Sequence, residues 1–596
     1  SQRASGTVLK GPPPPPRGGV VAGRRRRRVA TTTTNLYDGD DGVVERMAGV
    51  VENDRVARQI AELPIKDVVG TCVDVLFGDG DGDDGDDVIV QAPPGAGKTT
   101  TIPLALVYSH KGKKWSKEHH RRGHHPEGGV VVVVEPRRVA TRAAAARMAA
   151  ILGERVGETI GYAVRFERVA SSATKIEVVT EGVLRNRLSK DPSLRGVSCV
   201  VFDEFHERNL DADLSLALVL RAKREFGRMQ DLKVCVMSAT LGDVATRCRE
   251  LMRRTLLGNE NGYDAPIVKS EGKSFPVETI YVGGGSTSGA YNNDSVEDTA
   301  VKTVQRALND DPNGGNILVF LPGAAEIRRV VKSLKNRLGD SHFEVLPLYG
   351  ALPTEEQNYA LSPSKFTTKR RVVVSTPIAE SSLTVPGVTI VVDSGFRRAP
   401  KYDHNKGMTR LTTERVSISS ADQRRGRAGR IAEGVCYRMW NENSMATSFQ
   451  KETTPEILTA DLTSCMLTIA NALDGELSTR DIFPSSSSSS SSSKLAFLDP
   501  PPAGPGKNAL ELLEKLRAIE VVEEDQESSN VTYFVTEKGK AMNALPCHPR
   551  IGAMLLFASQ RGAASTRLAC QLAAGVDSDK SLLRGRYAPL DARSYA

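Results

Sequence analysis

Residues 88–100, VIVQAPPGAGKTT, limit the folds open to this chain more than any other stretch. An apolar run too short for a helix enters a loop containing Gly95 and Gly97, and a helix-like run starts at Lys98. Glycines without a Cβ let backbone N–H groups point at phosphate oxygens, and the helix N-terminus adds positive potential. Gly95, Ala96, Gly97, Lys98, Thr99 and Thr100 are therefore a candidate phosphate cradle. Lys98 reaches the β- and γ-phosphates of a nucleotide such as ATP, and the Thr99 hydroxyl holds Mg²⁺. The strict pattern has glycine where this chain has Ala92.

A strand, loop and helix in that order begin a parallel sheet, because only a crossover returns the chain to the next strand. The remaining sequence agrees. Apolar runs at 88–91, 130–135, 198–202 and 234–237 alternate with helix-like stretches at 140–152 and 210–223. The pattern resumes after about residue 265 with runs at 317–321, 372–375 and 389–392. The expected fold class is α/β, with two parallel-sheet domains in tandem; beyond residue 440 helical patterns dominate.

The bulk composition is that of a globular chain. Its 596 residues suit roughly three or four domains, with 39% hydrophobic and 26% charged residues. No apolar run approaches the roughly 18 residues of a membrane span, so no membrane partner is expected. A net charge of +8 is compatible with a polyanionic partner. Eight scattered cysteines without a C-x-x-C pair argue for a reducing compartment, with neither a disulfide framework nor a zinc ribbon.

Three segments read as inserts. The acidic run 79–87 resembles a calcium loop but has Asp84 and Val90 where glycine and glutamate belong, so it reads as a solvated insert. The basic run 110–129 holds His119, His120, His124 and His125; a metal site and a flexible insert are both open, the second favoured. Residues 485–493 are a polyserine linker. The leader has Arg24 to Arg28 and Thr31 to Thr34 with no acid before Asp38. It reads as an organelle transit peptide or a disordered basic tail, so the compartment is a plastid or mitochondrion in the first case and cytoplasm or nucleus in the second.

A second chemical signal is VVFDEFHERNL at 200–210, where a buried-type strand ends in acids. A phosphate site needs carboxylates beside the cradle, at the C-terminal ends of neighbouring strands. Asp203 is assigned to Mg²⁺, largely through water, and Glu204 to the attacking water beside the metal. Developing charge on a transferred phosphoryl group then needs guanidinium groups. DQRRGRAGR at 422–430 offers Arg427 and Arg430 as arginine fingers, and Gln423 to position water or contact His206.

The motifs APPGAGKT, EPRRVATRAAA, TEGVL, DEFHER, SAT, ILVFLPGAAEI, STPIAESSLTVPG and QRRGRAGR occur in that order. The chain thereby resembles the superfamily 2 DEAH-box RNA helicases, and within them the HrpB-type group. The resemblance implies a basic leader (1–45), two RecA-like domains (46–265 and 266–440) and a winged-helix module with the polyserine insert (441–506). An incomplete ratchet-type helical domain (507–596) follows, with the chain ending short of a further C-terminal region. It implies ATP, or another nucleoside triphosphate, with Mg²⁺, and a single-stranded RNA partner tracked 3′ to 5′ by a monomer, with room for an activator protein.

By the same resemblance, Arg137, Arg138, Thr180 and Thr376 touch the strand backbone, and Ser382 and Thr384 approach the nucleotide. Ser238, Ala239 and Thr240 couple hydrolysis to domain motion, and a β-hairpin between Phe396 and Val416 parts strands. The chain departs from the group at Pro377 and Pro386, where a backbone donor is lost. Two alternatives stay open: a nucleic-acid-stimulated NTPase without productive unwinding, and a non-catalytic RNA-binding scaffold.

Overall fold

In the computed structural model, the described residues run from 53 to 577, apart from 79–84, 110, 112–128, 230, 240–241, 258–264, 272–273, 284–294, 312–313, 340–341, 363–368, 382, 404–406, 474, 484–494 and 526–529. The basic leader, the four histidines of the basic insert, the polyserine linker, Thr240 and Ser382 lie outside them.

The first lobe is an eight-stranded sheet. In chain order its strands are β1 (Val88–Gln91), β2 (Val130–Glu135), β3 (Ile160–Val164), β4 (Glu167–Val169), β5 (Ile176–Thr180), β6 (Val197–Phe202), β7 (Lys233–Ser238) and β8 (Ile267–Lys269). Their order across the sheet is β4-β3-β5-β2-β6-β7-β1-β8, and every pairing except β3 with β4 is parallel. Helices cover both faces, which explains the unbroken valine run of β2 and the mostly apolar β6: no position on a doubly covered strand faces water. Because β8 pairs with β1, this lobe extends past the expected boundary at residue 265.

The second lobe holds a six-stranded parallel sheet of β9 (Val277–Tyr281), β10 (Asn316–Phe320), β11 (Phe343–Leu348), β12 (Arg370–Ser375), β13 (Val388–Asp393) and β16 (Gly434–Arg438), ordered β11-β12-β10-β13-β16-β9. Between β13 and β16 the chain leaves the sheet as an antiparallel hairpin, β14 (Phe396–Asp403) against β15 (Met408–Arg415). This is the hairpin expected between Phe396 and Val416.

The C-terminal part corrects another boundary. β17 (Glu476–Ser478) pairs with β19 (Asn530–Val535), which also pairs with β18 (Ile519–Asp525). One three-stranded sheet therefore spans the expected division at 506/507, and the winged-helix unit runs on to Val535. Its core residues Cys465, Ile469, Leu510 and Ile519 belong to the same buried cluster as Leu214, Val219 and Val234 of the first lobe. Module and first lobe thus share one core. Three helices, Glu537–Ala544, Pro549–Ser559 and Ala563–Asp577, follow.

The acidic insert also needs correcting at its end. Asp87 is not solvated: it is fully buried, bonded to Lys223 Nζ at 2.6 and 2.7 Å, and accepts the Val234 N–H at 2.8 Å. Lys223 lies on the helix Leu210–Glu225. Removing one partner of such a pair strands a buried charge and costs about 3–5 kcal/mol. Lys223→Met should lower the unfolding free energy by that amount in calorimetry, seen as a lower thermal midpoint, and Lys223→Met with Asp87→Leu should recover much of the loss.

Candidate nucleotide site at the interlobe cleft

β1 lies between β7 and β8 and delivers the glycine loop at its C-terminal end. Gly95 (φ +88°) and Gly97 (φ +95°) occupy the left-handed region that side chains disfavour. A Cβ on Gly97 would also strike Leu63 Cδ1 at 2.7 Å. Ala92 is buried without a positive φ and donates to the Ser238 carbonyl at 3.1 Å, so its departure from glycine costs the loop nothing. Gly97 caps the helix Lys98–Tyr108, whose N-terminus therefore begins directly after the glycine loop.

β6, completely buried, brings Asp203 and Glu204 beside the loop. Glu204 itself sits at φ +48°, and its N–H donates to Asp203 Oδ1 at 2.7 Å. The turn Phe205–Glu207 that follows is anchored by Phe205 packed edge-on against Phe202. The Thr99 hydroxyl bonds Asp203, and Lys98 Nζ lies 3.3 Å from Glu204 Oε1. A third acid, Glu135 at the end of β2, is 1% exposed.

Three carboxylates and one ammonium are thus packed where water scarcely enters. Burial pushes Glu135 well above the usual carboxylate range, with Asp203 and Glu204 adding to it. Burial also raises Asp203, against the pull of Lys98. Glu204 goes the other way: burial opposes ionisation, yet Lys98, His206 and Arg427 outweigh it and hold the group at about 2.

The second lobe supplies the opposite wall. Arg427 donates to the carbonyls of Leu383 (2.9 Å), Ser381 (2.5 Å) and Glu380. Arg430 Nη1 donates to Thr384 Oγ1 at 2.6 Å, and its Cζ lies 3.4 Å from where a Cβ on Gly95 would stand. Burial, reinforced by Arg430, lowers Arg427 well below the ordinary guanidinium value; burial brings Arg430 down to about 10. Both Nε atoms are buried without a hydrogen-bond acceptor. Gln423 Oε1 meets His206 Nε2 at 3.2 Å, and His206 Nδ1 lies 3.4 Å from Glu204 Oε2.

These features fit a magnesium nucleotide. The unsatisfied guanidinium atoms and the loop dipoles suit an anion, and the excess of buried acid suits a cation. Among the described residues no group of three or more His, Cys, Asp or Glu side chains is arranged to hold a metal. The match is with a hard ion that keeps water and phosphate ligands.

Of the candidate strand-binding residues, Arg137 lines a neighbouring cavity of about 830 Å³, together with Arg208, Pro377, Arg397, Arg398 and Lys401 among others, whereas Arg138, Thr180 and Thr376 are not part of its lining. Arg138 is exposed at the start of its helix, while Thr180, the last residue of β5, and Thr376, the first after β12, are half-buried. Arg137 bridges the lobes, donating to the Pro377 carbonyl (2.8 Å) and to Glu207 Oε2 (3.0 Å). Pro377 opens a short 3-10 turn, a position that tolerates a missing N–H, and the Pro386 carbonyl accepts from Asn316 Nδ2 at 2.8 Å. Ser238 is buried at the end of β7, with Ala239 buried behind it.

Sequence reasoning missed what Arg424 does. It is fully buried, bonded to Glu380 Oε2 and Asp393 Oδ1 at 2.8 Å each, and lies over the Phe320 ring at 5.0 Å. It was hidden because neighbouring arginines in one run look alike. Arg424→Met strands two buried acids and should cost about 3–5 kcal/mol in thermal unfolding. Arg425→Ala, on a side chain 42% exposed, should stay within about 0.5 kcal/mol.

Comparisons with known proteins agree with this layout. The family model for DEAD/DEAH box helicases matches residues 80–247, and the helicase conserved C-terminal domain matches 299–432. The chain is 36% identical over 480 residues to the ATP-dependent RNA helicase HrpB of Escherichia coli K12, covering 80% of this chain and 51% of that protein. It is 31% identical over 484 residues to the ATP-dependent RNA helicase DHX33 of Drosophila melanogaster, covering 80% and 61%. The crystal structure of the Escherichia coli DEAH/RHA helicase HrpB superposes with a TM-score of 0.69 at 33% identity, over 88% of this chain and 59% of that one. The chain thus spans little more than half the length of these relatives.

Proposed function

The chain belongs to the DEAD/DEAH box helicases, and from that premise we propose that it is an ATP-dependent RNA helicase. It would hydrolyse Mg-ATP between its lobes and use the cycle to move 3′ to 5′ along a single strand. The observation that carries the reading is the meeting of Lys98, Asp203 and Glu204 on one wall with Arg427 and Arg430 on the other.

In this reading Gly95 to Thr100 cradle the phosphates, and Thr99 and Asp203 hold Mg²⁺. The ion, when bound, supplies positive charge to the phosphate oxygens. Lys98 exchanges Glu204 for a phosphate. That exchange removes the main charge holding Glu204 near 2, so the carboxylate becomes a stronger base for the proton of the attacking water. Arg427 and Arg430, the latter bonded to Thr384, take up the charge that develops on the phosphoryl oxygens. Gln423 through His206 reports lobe closure to Glu204.

Ser238, at the end of the strand beside the loop, links hydrolysis to movement together with Ala239 and Thr240. Arg137, Arg138, Thr180 and Thr376 hold the backbone of the strand, so binding is sequence-tolerant and falls steeply with salt. The engagement of Arg137 by Pro377 favours a second reading, a strand-stimulated NTPase that does not unwind.

Phosphate release with and without single-stranded RNA, run beside duplex displacement, separates these readings. A helicase shows stimulation and displacement; the second reading shows stimulation alone. Lys98→Ala and Glu204→Gln should each lower turnover by about 100-fold or more, and turnover persisting in both contradicts the site. Ser238→Ala should spare hydrolysis more than displacement; equal loss of both removes the coupling role.

A further inference from the structure

Glu135 has no part in the mechanism above, yet it is buried at 1% exposure beside the reacting groups, and its Oε2 has no hydrogen-bond partner. Its direction is fixed by the pleat. In β2, Val131 and Val133 enter the core beneath the helix Lys98–Tyr108, whereas Val132 and Val134 enter the opposite core. With a two-residue period, Glu135 faces the same side as Val133. In β6, Cys199 and Val201 share that side, so Asp203 follows them.

Val134 is in register with Phe202, and the Asp203 N–H donates to the Val134 carbonyl at 3.0 Å. The next residues, Glu135 and Asp203, therefore lie side by side on adjacent strands about 5 Å apart, both toward the helix that begins at Lys98. Lys98 is already claimed by Glu204 at 3.3 Å.

A buried carboxylate oxygen without a donor costs about 1–3 kcal/mol or more. Water molecules on a cation would supply the missing donors. We propose that Glu135 is an outer-shell acid of this site, its Oε2 accepting hydrogen bonds from waters carried by the divalent cation that Thr99 and Asp203 would hold. Thr99 and Asp203 would hold such an ion, Asp203 largely through water, and Glu135 would offer its hydration shell an acceptor from the next strand. Small hard cations keep several waters, so a third acid acting through water is consistent with their chemistry. Outer-shell partners of this kind set metal affinity by about 10- to 100-fold.

The inference rests on the magnesium-nucleotide reading, and its test separates the two. Mn²⁺ binding to the ADP complex is titrated by electron paramagnetic resonance, and a fluorescent ADP analogue is titrated in EDTA. Glu135→Gln should bind the analogue in EDTA as the unaltered protein does, while Mn²⁺ affinity of the ADP complex falls about 10-fold or more. Mn²⁺ affinity within about twofold of the unaltered protein overturns the assignment. If the amide variant does not fold, Glu135→Met matches its bulk without a polar atom, and the same loss is expected of it. Failure of the unaltered protein to bind the analogue under either condition overturns the nucleotide reading itself.

Discussion

The structure is organised around a charge imbalance that neither lobe can relieve alone. On one wall Glu135, Asp203 and Glu204 are buried with a single ammonium, Lys98. On the other, Arg427 and Arg430 carry buried Nε atoms without acceptors. Pairing of Lys98 with Glu204 satisfies part of the first wall, and backbone carbonyls satisfy part of the second. Polar groups buried with incomplete partners are costly, so a ligand that supplies those partners is favoured there. A magnesium triphosphate carries both signs.

The rest of the architecture makes the cleft able to open and close. The first lobe and the winged-helix unit share one hydrophobic core and are tied further by Arg208 and Arg247, which both bond Asp499. The second lobe keeps its own cores, reached across the joint by the partly buried Val139. Its other ties to the first lobe are polar: Arg137 to Pro377, Glu207 to Ser381 and His206 to Gln423. Polar interfaces of this kind permit rigid-body motion more readily than a fused core does. Those ties run through the residues next to Glu204, so lobe position and the state of the acid are mechanically joined.

Much of this was legible in the sequence where one residue type has one physical use. Glycines before Lys98 can only relieve a steric limit, and acids at the end of an apolar strand can only serve a site or a turn. The central strands of both lobes follow from short apolar runs, whereas strands with polar or mixed sequence, such as β3 (Ile160–Val164) and β11 (Phe343–Leu348), gave no such signal. Legibility failed where partners are distant in the chain. The β17 and β19 pairing joins residues on either side of the polyserine stretch, so the winged-helix unit was cut in two. Asp87 looked like the end of a solvated run because its partner Lys223 lies on a remote helix. Arg424 was indistinguishable from Arg427 until the acids around it were known, and Glu135 passed for an ordinary strand end.

The central claim is that guanidinium from the second lobe completes a site built on the first. Chemical rescue at Arg430 tests it most directly. Arg430→Ala should lower ATP hydrolysis by about 1,000-fold or more while leaving ADP affinity nearly unchanged, and added guanidinium ion should restore part of the rate. Hydrolysis by Arg430→Ala at the rate of the unaltered protein would contradict the account.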